Sequence, residues 1–178
     1  MLGRMALAVC LLFDARGDRL MRELWARLEE QGIPTLQTHT HGLHHPHLSY
    51  AVLLDWDLDD VMRTLTDLPD GGAFSLAFHG TVAFPRGRAA IVPSVSADVM
   101  RRQEAVSAAL GRAGATVHHS YEPGSWIPHC SLSPRASGRA LLTVAKAVAD
   151  VLPLPVEASR AALIDSGTGQ VWPLSHIP

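Results

Sequence analysis

Residues 44–50 read HHPHLSY and residues 126–132 read WIPHCSL, so the pattern Pro-His-x-Ser occurs twice in the chain. The two copies supply the pairs His47 with Ser49 and His129 with Ser131. Residues i and i+2 of a β-strand point to the same face of a sheet. Each copy therefore predicts a strand that presents one imidazole and one hydroxyl on a common face, while the residue between them turns toward the core.

The repetition of this motif extends to the rest of the chain. The two histidines are 82 positions apart, and the same shift applied elsewhere tests for an internal duplication. Each half keeps the order of a β-like apolar run, a helical stripe, a glycine stop and the motif. The matched features are 6–11 with 88–93, Leu28 with Leu110, and Gly32 with Gly114. Two similar halves are therefore predicted.

Local patterns add the remaining elements. Apolar residues at helical spacing predict helices, and short apolar runs bounded by turn residues predict strands. The expected helices are 20–28, 58–68, 99–113 and 140–152, and the further strands are 73–84, 156–166 and 169–174. We expect one α+β domain over 1–178, with lobes of about 1–84 and 85–178. Each lobe is a βαβαβ-like unit on an antiparallel sheet, and the two surround a central groove.

Composition limits the class of protein. The chain has 178 residues, of which 47% are hydrophobic and 18% charged, as is typical of globular proteins. The net charge of −2 argues against long duplex nucleic acid as a partner. Cys10 and Cys130 are too few for a disulfide framework, so we expect a cytoplasmic protein. The apolar run between Arg4 and Phe13 is too short to span a bilayer, and we interpret it as a buried first strand. We expect no membrane partner and a monomer.

The paired motifs suggest a chemistry. If a pseudo-twofold axis relates the halves, two imidazoles and two hydroxyls meet across one groove. Displacement at phosphorus needs a base on the attacking oxygen and an acid on the leaving oxygen, and imidazole can take either role near neutral pH. Serine hydroxyls can donate to the non-bridging oxygens, where negative charge develops. Phosphoester cleavage without a metal is the chemistry that this set favours.

These residues resemble a known family. The segments HLSY and HCSL, with the lead-in WIP, are similar to the two His-x-Ser/Thr-hydrophobic motifs of the 2H phosphoesterase superfamily, which includes the 2′-5′ RNA ligase proteins and RNA cyclic phosphodiesterases. The similarity extends over GTVAFPRGRAAIVPSV and the final ALIDSGTGQVWPL. Tyr50 departs from the pattern, because the family usually has an aliphatic residue there.

The resemblance implies a fold and an activity. It implies the bilobal LigT-like α+β fold and hydrolysis of 2′,3′-cyclic phosphates on RNA ends or small nucleotides, without cofactor or metal. A weak reverse 2′-5′ ligation is also implied. His129 would activate water and His47 would protonate the leaving 3′-oxygen, with Ser49 and Ser131 binding phosphate. The alternative for the serines is an ordinary strand hydroxyl.

Five further side chains are candidates for substrate contact. Arginine geometry suits oxyanions, and aromatic rings can stack on bases. The candidates are Arg86, Arg88, Arg135, Tyr121 and Trp126. Solvated surface charge is an equal alternative for the arginines, and a core position is an equal alternative for Trp126.

The run HTHGLHHPH, residues 39–47, holds five histidines. Histidine clusters can bind zinc or nickel, but the second motif has no such cluster, so we interpret this run as a loop at the groove edge. Two other functions stay open beside the phosphodiesterase. One is a non-catalytic module that binds nucleotides or RNA ends on the same fold, and the other is a histidine-rich metal-binding protein.

Overall fold

The computed structural model describes residues 6–178, so Arg4 and the start of the N-terminal run lie outside it. Helices and strands alternate along the described chain. They are β1 (Leu7–Phe13), α1 (Ala15–Glu30), β2 (His47–Asp55), α2 (Leu58–Thr66), β3 (Phe74–Phe84), β4 (Arg88–Ser94), α3 (Ala97–Arg112), β5 (Thr116–Val117), β6 (Cys130–Ser133), α4 (Arg139–Ala149), β7 (Leu154–Asp165) and β8 (Val171–Pro173). Short 3-10 turns occupy Pro85–Gly87 and His119–Tyr121.

The strands form one antiparallel sheet. Its order is β5-β2-β1-β7-β3-β4-β6, and β8 pairs with β7 beside this path. The predicted α+β class with antiparallel pairing is confirmed. The sheets of the two halves are joined into a single path, because each half gives its last strand to the other. β3 pairs with β4 of the second half, and β7 pairs with β1 of the first.

The order of the strands is symmetric about the β7–β3 boundary. A shift of 82 residues moves α1 onto α3 end to end, and it moves β1, β2 and β3 onto the positions of β4, β6 and β7 to within a few residues. Exchanging these equivalent strands turns the sheet order β2-β1-β7-β3-β4-β6 into its own reverse. The two motif strands, β2 and β6, therefore occupy equivalent places on the two sides of the sheet.

Caps and glycines define the equivalent helices. Asp14 accepts a hydrogen bond from the Gly17 amide at the start of α1, and Ser96 accepts one from the Val99 amide at the start of α3. After the helices end, Gly32 and Gly114 take positive φ values of 76° and 92°, a conformation that favours glycine. The helices begin earlier than the apolar stripes suggested, because their first turns are exposed and carry no apolar pattern.

The core lies between the helices and one face of the sheet. Its largest fully buried side chains include Trp25, Tyr50, Phe13 and Phe78. Leu48 and Cys130, the residues between His and Ser in the two motifs, are buried in this core. The alternation of each motif strand therefore leaves His and Ser on the opposite face. None of the helices found in 6–178 has the length and apolar character needed to cross a membrane.

Candidate active site

The two motif histidines are held by the same local hydrogen bond. His47 Nδ1 donates to the carbonyl oxygen of His45 at 2.6 Å, and His129 Nδ1 donates to that of Ile127 at 2.7 Å. A carbonyl can only accept, so Nδ1 carries the proton in both rings. In the neutral form of each ring, Nε2 is then the free basic atom, and in the protonated form it is the free donor.

Burial lowers the pKa of both motif histidines. For His47 the main cause is loss of hydration, which the hydrogen bond to the His45 carbonyl partly offsets. For His129 burial again dominates the lower pKa, the Ile127 carbonyl opposes it, and the positive charges of His47 and Arg88 lower it further. Both imidazoles are thus biased toward the neutral form in the unliganded protein.

The motif strands meet across the two halves. β2 and β6 lie beside each other, and the Cys130 thiol is hydrogen-bonded to the backbone of His47. The charge of His47 also acts on His129. The fold therefore brings the two Pro-His-x-Ser segments into one region, although 82 residues separate their histidines.

A cavity of about 300 Å³ opens beside the second motif. Its wall combines residues of β2, the end of β3, β4, the 3-10 turn and β6. They are Val52, Phe84, Arg88, Ala89, Ala90, His118, Ser120, Tyr121, Ser125, Ile127, His129 and Ser131. The first motif adjoins this cavity rather than forming its wall, and Ser49 reaches it through a hydrogen bond to Tyr121.

Two tryptophans hold the backbone of the motif serines. Trp25 Nε1 donates to the carbonyl oxygen of Ser131 at 3.2 Å, and Trp126 Nε1 donates to that of Ser49 at 3.0 Å. Each indole belongs to one half of the chain and each serine to the other. A buried indole N–H needs an acceptor, so these bonds fix the exchange of contacts between the halves.

Tyr50, the residue that departs from the family pattern, is fully buried. Its ring meets the edge of Trp126 with 5.8 Å between centroids, and its carbonyl accepts from Gln103 Nε2 at 2.9 Å. Its hydroxyl has no hydrogen-bond partner within 6–178, and burial raises its pKa. The departure therefore changes the packing behind the motif rather than the surface of the cavity.

The other candidate residues divide into two groups. Arg88 and Tyr121 line the cavity. Trp126 is only 7% exposed and packs on Tyr50, so its ring lies in the core. Arg86 and Arg135 are exposed and lie outside the cavity wall.

The histidine-rich loop is ordered by contacts among its own rings. The His41 and His44 centroids are 4.3 Å apart, and those of His39 and His44 are 6.0 Å apart. Arg22 contacts the His44 carbonyl and His45 Nδ1 at 3.4 and 3.5 Å. Within the described chain, no group of three or more His, Cys, Asp or Glu side chains is arranged to hold a metal ion.

Several residues of this region were not singled out from the sequence. Phe84 tilts against the His129 ring at 4.7 Å, and no chemical pattern marks it at the end of its strand. Trp25 belonged to a helical apolar stripe, and only its need for a hydrogen-bond acceptor could have suggested a further role. Cys10 is paired in register with Ser49, which depends on a strand pairing that the sequence does not reveal.

Comparison with known proteins identifies the family. The model of the 2′-5′ RNA ligase superfamily matches residues 17–170, and the chain belongs to this family. The resemblance of the motifs to 2H phosphoesterases is thereby confirmed. No curated protein matches the chain.

Solved structures share the fold at low sequence identity. E. coli LigT complexed with NADP+ has a TM-score of 0.63 and 12% identity, covering 97% of this chain and 95% of its own. TT0787 of Thermus thermophilus has a TM-score of 0.62 and 16% identity, with 97% and 99% covered. Kluyveromyces marxianus Usb1 has a TM-score of 0.52 and 13% identity, with 96% and 98% covered.

Proposed function

We propose that this protein is a phosphodiesterase that hydrolyses 2′,3′-cyclic phosphate ends of RNA or small nucleotides without a metal ion. The observation that carries the proposal is the matched pair of imidazoles. Both are anchored through Nδ1 to a carbonyl two residues earlier, so both have Nε2 free for proton transfer. An acid and a base of the same kind suit a displacement at phosphorus.

The reaction can be written with these groups. His129 Nε2 takes a proton from water, whose oxygen attacks phosphorus, and the bond from phosphorus to the 3′-oxygen breaks. His47 Nε2–H gives its proton to that 3′-oxygen, which leaves a 2′-phosphate and a 3′-hydroxyl. The hydroxyls of Ser49 and Ser131 donate to the non-bridging oxygens. The assignment of base and acid follows the family resemblance, and the symmetry of the motifs makes it the step to test.

Nucleotide chemistry is supported by the relatives. Structures of E. coli LigT are described as complexes with NADP+, with 3′-AMP and with ATP. The cavity beside His129 has the arginine Arg88 in its wall together with the aromatic Phe84 and Tyr121. Such a wall offers a cation for phosphate and rings for a base.

The test is hydrolysis in the presence of EDTA. The purified protein is incubated with 2′,3′-cyclic nucleotides, cyclic-ended oligonucleotides, 2′-5′ dinucleotides and ADP-ribose cyclic phosphate, and the product phosphate position is identified by NMR. We expect 2′-phosphate products and unchanged rates with chelator. Absence of turnover on every substrate, with tight binding of the same compounds, would instead support a non-catalytic nucleotide-binding module.

The roles of the two histidines are tested with a nitrophenyl ester substrate, whose leaving group needs no proton. His47→Ala should recover most of its rate on this substrate and His129→Ala should not. Recovery by His129→Ala alone would reverse the roles. Recovery by neither variant would mean that the imidazoles mainly bind phosphate.

A further inference from the structure

Tyr121 belongs to the second half of the chain but is fixed on the motif strand of the first. The His118 amide donates to the Val52 carbonyl of β2 at 2.8 Å. Gln103 Nε2 donates at 2.9 Å to the Tyr121 carbonyl and at 2.9 Å to the Tyr50 carbonyl, also of β2. The 3-10 turn is therefore tied to β2 at two points, and this holds the Tyr121 ring at the cavity wall.

The Tyr121 side chain reaches the first motif serine. Its phenol is hydrogen-bonded to the Ser49 side chain, and so is the thiol of Cys10, which faces Ser49 across the β1–β2 pairing. Burial raises the pKa of Tyr121 to about 12 and that of Cys10 to about 12. Both groups thus keep their protons at neutral pH and can act as donors.

Counting donors and acceptors then orients the serine. A serine hydroxyl has one proton and two acceptor positions. If the Tyr121 phenol and the Cys10 thiol donate to Ser49 Oγ, both acceptor positions are filled. The Ser49 proton then has no acceptor in this cluster and is directed toward whatever lies in the groove.

We propose that Tyr121 is a positioning residue that orients the Ser49 hydroxyl as a donor to the substrate phosphate. This inference rests on the proposed function and adds a residue to it. The role differs from stacking on a base, because it needs the phenol oxygen rather than the ring.

The device is present on one side of the groove only. A shift of 82 residues takes Tyr121 to His39, which lies in the histidine-rich loop and stacks at 6.0 Å from His44. The side chain of Ser131 lies in the cavity wall itself. The two serines, which look equivalent in the sequence, therefore have different surroundings, and Ser131 provides a matched control.

The experiment is a pair of double-mutant cycles on a 2′,3′-cyclic nucleotide. Tyr121→Phe is measured alone, with Ser49→Ala, and with Ser131→Ala. Alone it should lower kcat by about 2- to 12-fold, the range of one neutral hydrogen bond, with KM changed less than kcat. In the Ser49→Ala background it should have no further effect, whereas with Ser131→Ala the two losses should multiply.

The outcomes separate this role from others. Multiplying losses in the Ser49→Ala background, or a Tyr121→Phe variant as active as the wild type, would overturn the proposal. Full activity in Tyr121→Phe with a large loss in Tyr121→Leu would assign the ring to stacking instead. Thermal unfolding of each variant separates an effect on folding from one on kcat.

A second readout keeps the inference independent of turnover. If the wild type hydrolyses no cyclic phosphate, the proposed function fails, and the same cycles are measured as affinity for 2′-AMP by calorimetry. Tyr121→Phe must then weaken binding in the wild-type and Ser131→Ala backgrounds and leave it unchanged in the Ser49→Ala background. Equal weakening in all three backgrounds would reject the positioning role.

Discussion

The two Pro-His-x-Ser segments share their backbone geometry and differ in what surrounds them. Both histidines donate Nδ1 to the carbonyl two residues before, and both serine carbonyls accept from an indole of the other half. The loop before the first motif is a stack of imidazoles, while the second is preceded by a 3-10 turn whose Tyr121 reaches Ser49. Duplication thus accounts for the reactive atoms, and the later divergence of the loops accounts for their surroundings.

The largest expected effect tests the shared part of the comparison. His47→Ala and His129→Ala should each lower kcat by about 10²- to 10⁴-fold, the range for loss of a general acid or base. Both side chains line the groove face and add little to the core, so circular dichroism and thermal unfolding should stay close to the wild type. A residual rate above one tenth of the wild type for either variant would remove that histidine from the chemistry.

The serines should show smaller losses. Ser49→Ala and Ser131→Ala each remove one hydrogen bond to a charged phosphate, worth about 1.5–3 kcal/mol, or roughly 10- to 150-fold in kcat/KM. Ser133→Ala is a matched control, because its hydroxyl donates to the Pro34 carbonyl and is buried away from the cavity. It should affect thermal stability rather than kcat. Wild-type kinetics in either motif variant would leave that hydroxyl as an ordinary strand contact.

The crossed indoles sharpen the comparison further. Trp25→Phe and Trp126→Phe each remove one hydrogen bond to a motif serine carbonyl, so we expect a loss in kcat of about 2- to 12-fold. Trp172→Phe, on β8, is the control for loss of ring volume, because Trp172 is partly buried against the core and pairs with β7 rather than with a motif strand. If all three variants lose stability and kcat in the same proportion, the indoles serve packing alone.

The duplication explains how much of this molecule could be predicted from its sequence. Motif spacing, helical stripes and glycine stops are local patterns, and the shift of 82 residues that they define relates α1 to α3 end to end. The exchange of β3 and β7 between the halves is a long-range pairing, and strand alternation alone does not determine partners. For the same reason the contacts of Trp25, Tyr121 and Cys10 with the motif serines could not be deduced, since each joins residues that are distant in the sequence.

The smallest expected effect concerns the loop that only the first half contains. Burial, and then the charges of His41, His39 and His47, lower the pKa of His44 from 6.5 to about 4, while a backbone hydrogen bond at His39 opposes the shift. Between pH 6.5 and 4 the unfolded chain therefore binds a proton at this position that the folded chain resists. Stability consequently falls as the pH falls through this window.

His44→Gln should remove part of that loss, because a neutral amide can still bond to Thr40, whose Oγ1 lies 3.0 Å from His44 Nε2. We expect the drop in melting temperature between pH 7.5 and 5 to be smaller in the variant by about 2–4 °C, the shift that roughly 1 kcal/mol produces in a domain of this size. His79→Gln, at an exposed position of β3, controls for the removal of one imidazole from the surface. An equal drop in His44→Gln and wild type would mean that the ring stack opens freely in the folded protein and does not oppose protonation.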